Sequence, residues 1–464
     1  MATRILRPSV TGALLCFLPG LLGLGGCATT TAAGPGGDGD RVASSAPGVP
    51  APKVVVPVGE QAAARFREAV QLYQSGRAAG RPDYAAVEGL LQEALGLDRR
   101  FTRAQFNLGV IYEEQGRTKD AEAAYRKTLE LDPRYVDALA NLGRIAMLRG
   151  DRQGALGDFQ KVVEIDPFNT YARNNLASVH RLNAVKLMGK GDTEGANRSF
   201  AEAVENVRKV LAAEPQDMLA YNNLVLIYYD LEKYELARLV ALSALKFNKP
   251  DAAIHNNLGL VLLKLNKVTL ATAEFQAALQ VDPKFGAAHV NLGAISLNYR
   301  DFQGAYERFR AALEGQPDDP EILIGLGVAA RGLGKLEEAE SLYRKVLRLH
   351  ADYPDAWFNL GILFQEHWNK PQQALESFRS YLRVARLETA DDKARADNVR
   401  SRVEGLVQLQ RIMDQQEQQR RTAPKAAPAE PAPAEPAPAG AASGPAATEA
   451  AAATPVEAAA ATGP

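Results

Sequence analysis

The chain has 464 residues and is close to electrical neutrality, with 54 lysines and arginines against 55 aspartates and glutamates. These charges are mixed along its length, which argues against nucleic acid as a partner, because nucleic-acid-binding proteins normally present a basic face. Hydrophobic residues make up 46% of the sequence. This is ample for a core, but no stretch beyond the N-terminal segment is long and apolar enough to span a bilayer.

The first 26 residues have the features of an export signal. Arg4 and Arg7 precede a short apolar run from Ala13 to Leu22, which is the arrangement of a secretory signal peptide. The segment ends in Leu24-Gly25-Gly26-Cys27, which resembles the lipobox of bacterial lipoproteins. The resemblance implies cleavage after residue 26 and lipidation of Cys27. The alternative is an ordinary secretory signal in which the cysteine occurs by chance.

The residues around the cleavage point bear on localisation. Ala28 is not the aspartate that marks inner-membrane retention in such lipoproteins, so an outer-membrane anchor facing the periplasm is predicted. The other cysteine, Cys16, lies in the removed segment, so the mature chain would form no disulfide. Residues 27–59 are rich in Gly, Ala, Thr, Ser and Pro, and this composition predicts a disordered tether from the lipidated Cys27.

A 34-residue periodicity organises residues 60–386. Asn107-Leu108-Gly109 returns as Asn141-Leu142-Gly143. The same frame carries eight alanines, namely Ala121, Ala155, Ala203, Ala237, Ala271, Ala305, Ala339 and Ala374. Four residues after most of them comes an aromatic residue: Tyr125, Phe159, Phe275, Phe309, Tyr343 or Phe378. A repeat of this length predicts a stack of identical small units.

Each unit has the apolar spacing of two short helices. Leu108, Ile111 and Tyr112 would lie on one face of the first helix, and Gly116 would end it. A second helix would follow and end at Asp132-Pro133. One such pair cannot bury its own apolar face, so neighbouring pairs must stack.

This pattern resembles that of the tetratricopeptide repeat family. The resemblance implies an all-α, right-handed superhelical solenoid of about nine helix-turn-helix units. It also implies binding of proteins or extended peptide segments in a concave groove.

Two of the later units depart from the frame. Repeat four, residues 170–217, carries fourteen extra residues between its landmarks Leu176 and Ala203. Helical apolar spacing through Val179, Leu182 and Phe200 favours lengthening of both helices by about two turns; a flexible loop is the alternative. Repeat nine carries one extra residue near His367-Trp368-Asn369.

The periodicity ends after residue 386. Residues 387–421 keep helical spacing at Val399, Val403, Leu406 and Met413 amid many charges, which predicts a solubilising capping helix. Residues 422–464 consist largely of Pro, Ala and Glu. That composition predicts a disordered tail.

Asparagine precedes the leucine of nearly every unit, although it is a mediocre helix residue. The row is Asn107, Asn141, Asn175, Asn223, Asn257, Asn291 and Asn359, and Gly325 interrupts it. Each amide could bond a neighbouring repeat or a turn. Alternatively, the row resembles the asparagine ladder of the tetratricopeptide superhelix in O-linked N-acetylglucosamine transferases, where such residues grip a peptide backbone. The catalytic domain of those enzymes is absent here.

No catalytic site, cofactor or metal site is expected. The five histidines are scattered, and His255 and His289 share a repeat position with Tyr221 and Trp357, which favours a packing role. The glycine pairs lack the strand and lysine of a phosphate-binding loop.

The expected function is therefore that of an outer-membrane-anchored periplasmic binding scaffold. The layout of lipobox, tether, nine repeats and Pro/Ala tail is similar to tetratricopeptide lipoproteins of the myxobacterial adventurous gliding machinery. It also resembles pilotin-like lipoproteins that assist pilus or secretion secretins. An adaptor for cell-wall enzymes is a third possibility.

Overall fold

The computed structural model describes residues 58–247, 250–387 and 389–422. The predicted signal peptide, Cys27, most of the tether and all but the first residue of the Pro/Ala/Glu tail lie outside these ranges. Within them the chain forms nineteen α-helices and one short π-helix, without a strand. None of the helices described is long and apolar enough to cross a membrane.

The first eighteen α-helices form nine pairs, which confirms the predicted all-α architecture of about nine units. The pairs in the first half are α1 (Glu60–Ala78) with α2 (Tyr84–Leu97), α3 (Thr102–Glu114) with α4 (Thr118–Leu131), α5 (Val136–Leu148) with α6 (Arg152–Ile165), and α7 (Thr170–Gly189) with α8 (Thr193–Ala213). Those in the second half are α9 (Met218–Asp230) with α10 (Tyr234–Leu245), α11 (Ala252–Lys264) with α12 (Val268–Val281), α13 (Gly286–Asn298) with α14 (Phe302–Gly315), α15 (Pro320–Gly332) with α16 (Leu336–Leu349), and α17 (Pro354–Ile362) with α18 (Pro371–Val384).

Each helix packs on its partner and on the next pair, so the core is a continuous stack. First helices of consecutive pairs also touch, as α7 with α9, α9 with α11, α13 with α15 and α15 with α17. The odd-numbered helices therefore share one side of the stack, here called the first-helix surface. The even-numbered helices occupy the second-helix side.

Close packing within a pair explains the recurring glycine, alanine and aromatic residue. A Cβ placed on Gly259 would lie 2.5 Å from a ring carbon of Phe275, and both Phe275 and Ala271 are fully buried. The same glycine–aromatic contact recurs at Gly109, Gly143, Gly293, Gly327 and Gly361. Small residues let the two backbones approach, and the aromatic ring fills the remaining space.

The turn between the two helices of a pair requires a residue with left-handed backbone. Gly116 adopts φ 72° there, and Arg300 occupies the equivalent place at φ 59°. In both turns the following amide donates to a carbonyl five residues back, Arg117 N to Tyr112 O and Asp301 N to Ser296 O. This bonding pattern satisfies the last carbonyls of the first helix.

Repeat four is extended along both helices. α7 has 20 residues where α5 has 13, and α8 has 21 where α6 has 14. The insertion is thus divided evenly, seven residues to each helix, as the apolar spacing predicts. Ala184 and Ala196 from the extended part are buried, so the addition is packed structure rather than a loop.

The last repeat absorbs its extra residue in the π-helix Leu363–His367, which follows directly on α17. A π turn is a common way to insert one residue without breaking a helix. Helix α19 (Ala390–Thr422) then packs on the final pair through Ala396, Val399 and Leu406.

The described residues fall into two units, one that ends at Leu406 and one that begins at Val407. The described part of the second unit is the remainder of α19. Leu409, Ile412 and Met413 are exposed there.

Candidate peptide-binding surface

The asparagine row lies along the first helices, and three consecutive members are buried. Asn223 is 3% exposed, Asn257 9% and Asn291 5%. Asn223 Nδ2 donates to the backbone oxygen of Asn174 at 3.1 Å. Asn257 and Asn291 each donate at 2.9 Å to the side-chain oxygen of an asparagine in the preceding first helix, Asn222 and Asn256 respectively. In this part of the row the amides tie neighbouring repeats together.

The other members of the row differ. Asn175 and Asn359 donate to carbonyls of their own helices, those of Tyr171 and Asp355. Asn107 and Asn141 are half-buried, and Asn141 lies beside the hydroxyl of Tyr125, which donates to Glu113 Oε2 at 3.0 Å. The members of the row therefore differ in their hydrogen-bond partners, although they occupy the same position in each repeat.

A second set of asparagines was missed by the sequence analysis. Asn174, Asn222 and Asn256 immediately precede members of the row, and all three are buried. They supply the acceptors described above. The Asn-Asn doublets at these places, in three consecutive repeats, were the signal that could have revealed them.

An apolar strip lies one turn further along the first helices of repeats five to eight. It consists of Leu226, Leu260, Ala294 and Val328, spaced 34 residues apart and all half-buried. Each follows the asparagine position by three residues and so lies on the same helix face. The same interval could have identified this strip from sequence. A half-exposed apolar strip of this kind suits the apolar side chains of a bound protein segment.

The repeat-four end of this surface carries a buried ion pair. Arg181 Nη1 lies 2.6 Å from Asp230 Oδ2, and the two side chains are 4% and 9% exposed. The pair joins α7 to α9. Burial raises the pKa of the Asp230 carboxyl, and the adjacent Arg181 opposes that rise.

The repeat-nine end carries several carboxylates. Burial, and then the nearby carboxylates of Asp319 and Asp355, raises the pKa of Glu321 to about 7. Asp355 itself pairs with Arg395 of α19 at 2.6 Å. Glu321 Oε2 is buried, and no group in the described ranges bonds it.

The histidines at the shared repeat position make polar contacts within the stack. His255 Nδ1 lies 2.7 Å from Glu274 Oε2, and His289 Nε2 lies 2.9 Å from the carbonyl oxygen of Pro283. The described residues contain no group of three or more His, Cys, Asp and Glu side chains placed to hold a metal ion.

Nine stacked helical pairs with one shared surface define an α-solenoid built from helix-turn-helix repeats. Family models described as tetratricopeptide repeat match residues 78–133, 106–170, 188–255, 256–320 and 297–360. Since these matches cover more than half of the chain, it belongs to the tetratricopeptide repeat family. Proteins of this family generally act as protein-interaction scaffolds. No curated protein matches the chain.

Three solved structures are similar to parts of the chain. A tetratricopeptide repeat protein from Parabacteroides merdae ATCC 43184 is 16% identical, with coverage of 57% of this chain and 99% of its own and a TM-score of 0.49. The human IFIT1 dimer with m7Gppp-AAAA is 17% identical over 77% of this chain and 82% of its own, with a TM-score of 0.50. Pseudomonas aeruginosa PilF is 22% identical over 48% and 94%, with a TM-score of 0.37. At these identities the likeness concerns the fold alone.

Proposed function

We propose that this protein is an outer-membrane-anchored periplasmic scaffold that binds partner proteins through the first-helix surface. The apolar strip of Leu226, Leu260, Ala294 and Val328 carries the proposal, because it is a half-exposed apolar feature that continues through four consecutive repeats. A partner segment with apolar side chains at matching intervals would bury them there. Each fully buried large side chain contributes about 1.5–3 kcal/mol.

In this proposal the asparagines of the row have two different roles. The half-buried Asn107, Asn141 and Asn175 hydrogen-bond the backbone of a bound segment, since an amide offers both a donor and an acceptor. The buried Asn223, Asn257 and Asn291 hold neighbouring first helices together, and Asn359 bonds within its own helix. The membrane anchor in this proposal is Cys27, which is supported by the lipobox-like sequence before it.

The binding test is a double substitution in the strip, Leu226→Glu with Leu260→Glu, in the lipidated full-length protein. Two carboxylates in an apolar interface should reduce recovery of cross-linked complexes from membranes by at least about tenfold. The matched control is Leu236→Glu with Leu239→Glu on α10, where both leucines are exposed on the second-helix side. Equal loss of complexes by the control, or retention of complexes by the strip variant, would show that binding does not use the strip.

The anchoring test is Cys27→Ser. Without the thiol that accepts the lipid, the protein should accumulate as precursor or as a soluble product. Recovery of that variant as a mature outer-membrane protein would contradict the anchor while leaving the binding surface untouched.

The envelope machine that we favour is a gliding motility complex, on the layout of anchor, tether, repeats and tail. Deletion of the gene should then abolish motility while peptidoglycan stays normal. Failure of a pilus or secretion secretin to assemble would instead support the pilotin-like role. Altered peptidoglycan with intact motility would support the cell-wall adaptor.

A further inference from the structure

A groove on the second-helix side of repeats one and two has no counterpart in the proposed function. It lies between α2 and α4, is floored by α3, and has a volume of about 560 Å³. Its walls include Gly96 of α2 and Ala123 and Ala124 of α4. We call it the Gly96 groove.

The groove exists because a side chain is missing at Gly96. In later repeats the equivalent position carries Glu130, Glu164, Ala212, Lys246, Gln280, Glu314, Arg348 and Arg383. All but one of these are long. A Cβ placed on Gly96 would meet nothing within 4 Å, so glycine here opens space and is not required by close packing.

The floor of the groove carries a side-chain amide that is free to bond a ligand. Gln105 is 5% exposed, it lines the groove, and its side chain hydrogen-bonds to nothing in the described part of the chain. A group that enters the groove would find both a donor and an acceptor at its base.

At the equivalent position of other repeats each polar residue has at least one hydrogen-bonding partner, although His289 Nδ1 is buried without one. Arg173, His289 and Trp357 each bond a carbonyl oxygen six residues earlier, at 2.7, 2.9 and 3.0 Å. Tyr221 bonds the carbonyl of Pro215 at 3.4 Å, and His255 contacts Glu274 at 2.7 Å. Gln105 is the exception to this rule among the described repeats.

The groove also carries uncompensated positive charge. Arg117 is neutralised by Glu88 at 2.9 Å and Asp120 at 2.8 Å, and it stacks on the ring of Tyr112. Arg99 and Lys127 also line the groove, and neither pairs with a carboxylate among the residues described. At the equivalent place one repeat later, Lys161 has a carboxylate of its own, Asp158, at 3.8 Å.

We propose that the Gly96 groove binds an extended acidic segment of a partner protein. Glycine and alanine walls admit a peptide backbone, the Gln105 amide pairs with its carbonyl and N–H, and Arg99 and Lys127 pair with its carboxylates. A second depression meets the groove at Gly96 and is lined by Gln61, Ala64, Leu97 and the ion pair of Arg65 with Glu93. A bound chain would therefore cross α2 at this glycine.

The test measures fluorescence anisotropy of a labelled peptide of alternating alanine and glutamate, mixed with the full-length protein. The same peptide with glutamine in place of glutamate is the reference. We expect saturable binding of the acidic peptide, at least about tenfold tighter than that of its glutamine counterpart. Equal affinity for the two peptides, or no binding of either, would overturn the proposal.

Variants locate the site. Arg99→Ala with Lys127→Ala should weaken binding by at least about tenfold, whereas Lys161→Ala, the same substitution one repeat away, should change it less than about twofold. Gly96→Glu should abolish binding by filling the groove with a like charge. An equal loss in Lys161→Ala would show that the peptide responds only to overall charge, and would refute the groove.

A final variant separates binding from folding. Gln105→Leu introduces the residue found at the equivalent position Leu139, which is buried and well packed. It should weaken peptide binding while the melting temperature is unchanged, since the Gln105 amide makes no hydrogen bond to another described residue. Normal binding by this variant would refute the role of the amide. Displacement of the peptide by equimolar pyrophosphate would show a phosphate site and would also overturn the proposal.

Discussion

The interface within a helical pair and the interface between consecutive pairs are built from different chemistry, although both recur every 34 residues. Within a pair the contact is apolar and steric, a glycine or alanine against an aromatic ring, as at Gly259 and Phe275. Between the first helices of repeats four and five the contact is polar, with Asn223 bonded to Asn174 and Arg181 paired with Asp230.

This difference shows which contacts are the same in every repeat and which are specific to one junction between repeats. The steric contact depends only on volume and can be copied from unit to unit. The polar contacts require matched donors and acceptors in two adjacent units, so each junction has its own set. Stability should therefore respond to these interfaces in different ways.

The largest effect is expected at the buried ion pair. Arg181→Met removes one partner and leaves the Asp230 carboxylate buried without compensation, at a cost of about 3–5 kcal/mol. Chemical denaturation followed by circular dichroism would measure it. Replacing both residues, Arg181→Met with Asp230→Leu, should recover most of the loss. A single variant as stable as the wild type would mean that this junction contributes little.

The next largest loss of stability is expected when a larger side chain is placed in the contact within a helical pair. Ala271→Leu forces a larger side chain into a fully buried site, which typically costs about 1–3 kcal/mol. The control on the same helix is Ala273→Leu, at an exposed position, which should leave the melting temperature nearly unchanged. Equal behaviour of the two variants would contradict the repeat register described above.

The asparagine ties should have a smaller effect. Replacing Asn223, Asn257 and Asn291 by alanine removes three inter-repeat bonds worth about 1 kcal/mol each, and better helix propensity partly offsets the loss. We expect the melting temperature to fall and partner binding to survive below it. The companion variant, Asn107→Ala with Asn141→Ala, should keep its stability and lose affinity. The reverse order would place the peptide contacts in the buried part of the row.

The smallest expected effect on stability is its dependence on pH. The pKa of Glu321 is raised to about 7 from an ordinary value of 4.5, so between these values the folded protein retains a proton that the unfolded chain releases. Stability therefore falls as pH rises through this window. Glu321→Gln should match the wild type near pH 4 and exceed it by about 1 kcal/mol near pH 8, once solvent exposure is discounted. Thermal unfolding across this range, with the exposed Glu337→Gln as control, would check it.

The repeated part of the fold could be predicted because its determinants are local. Spacing alone places Ala271 beside Phe275, and phase alone divides the fourteen extra residues between α7 and α8. The single extra residue of repeat nine could be counted, but not its placement in a π turn at Leu363–His367. That choice depends on packing against neighbouring helices.

The candidate sites were less accessible from sequence because they depend on pairs of units. The role of Asn257 is set by Asn222 in the preceding first helix, and no periodic pattern distinguishes a tie from a ligand contact. The apolar strip at Leu226 and Leu260 was visible at the repeat interval but could be recognised as exposed only with the neighbours in place. The Gly96 groove depends on the absence of a side chain at Gly96, and that absence forms a groove only when the neighbouring helices are in place.

The length of repeat four has a consequence for how any partner is aligned. Units that repeat identically offer a periodic ligand several equivalent registers, each shifted by one repeat. Seven extra residues on each helix add a step of about 10 Å, at the end of the pair where Gly191 makes the turn. A partner long enough to contact this step can bind in only one of those registers. The lengthened helix pair of repeat four would therefore fix the position at which the partner aligns with the repeats.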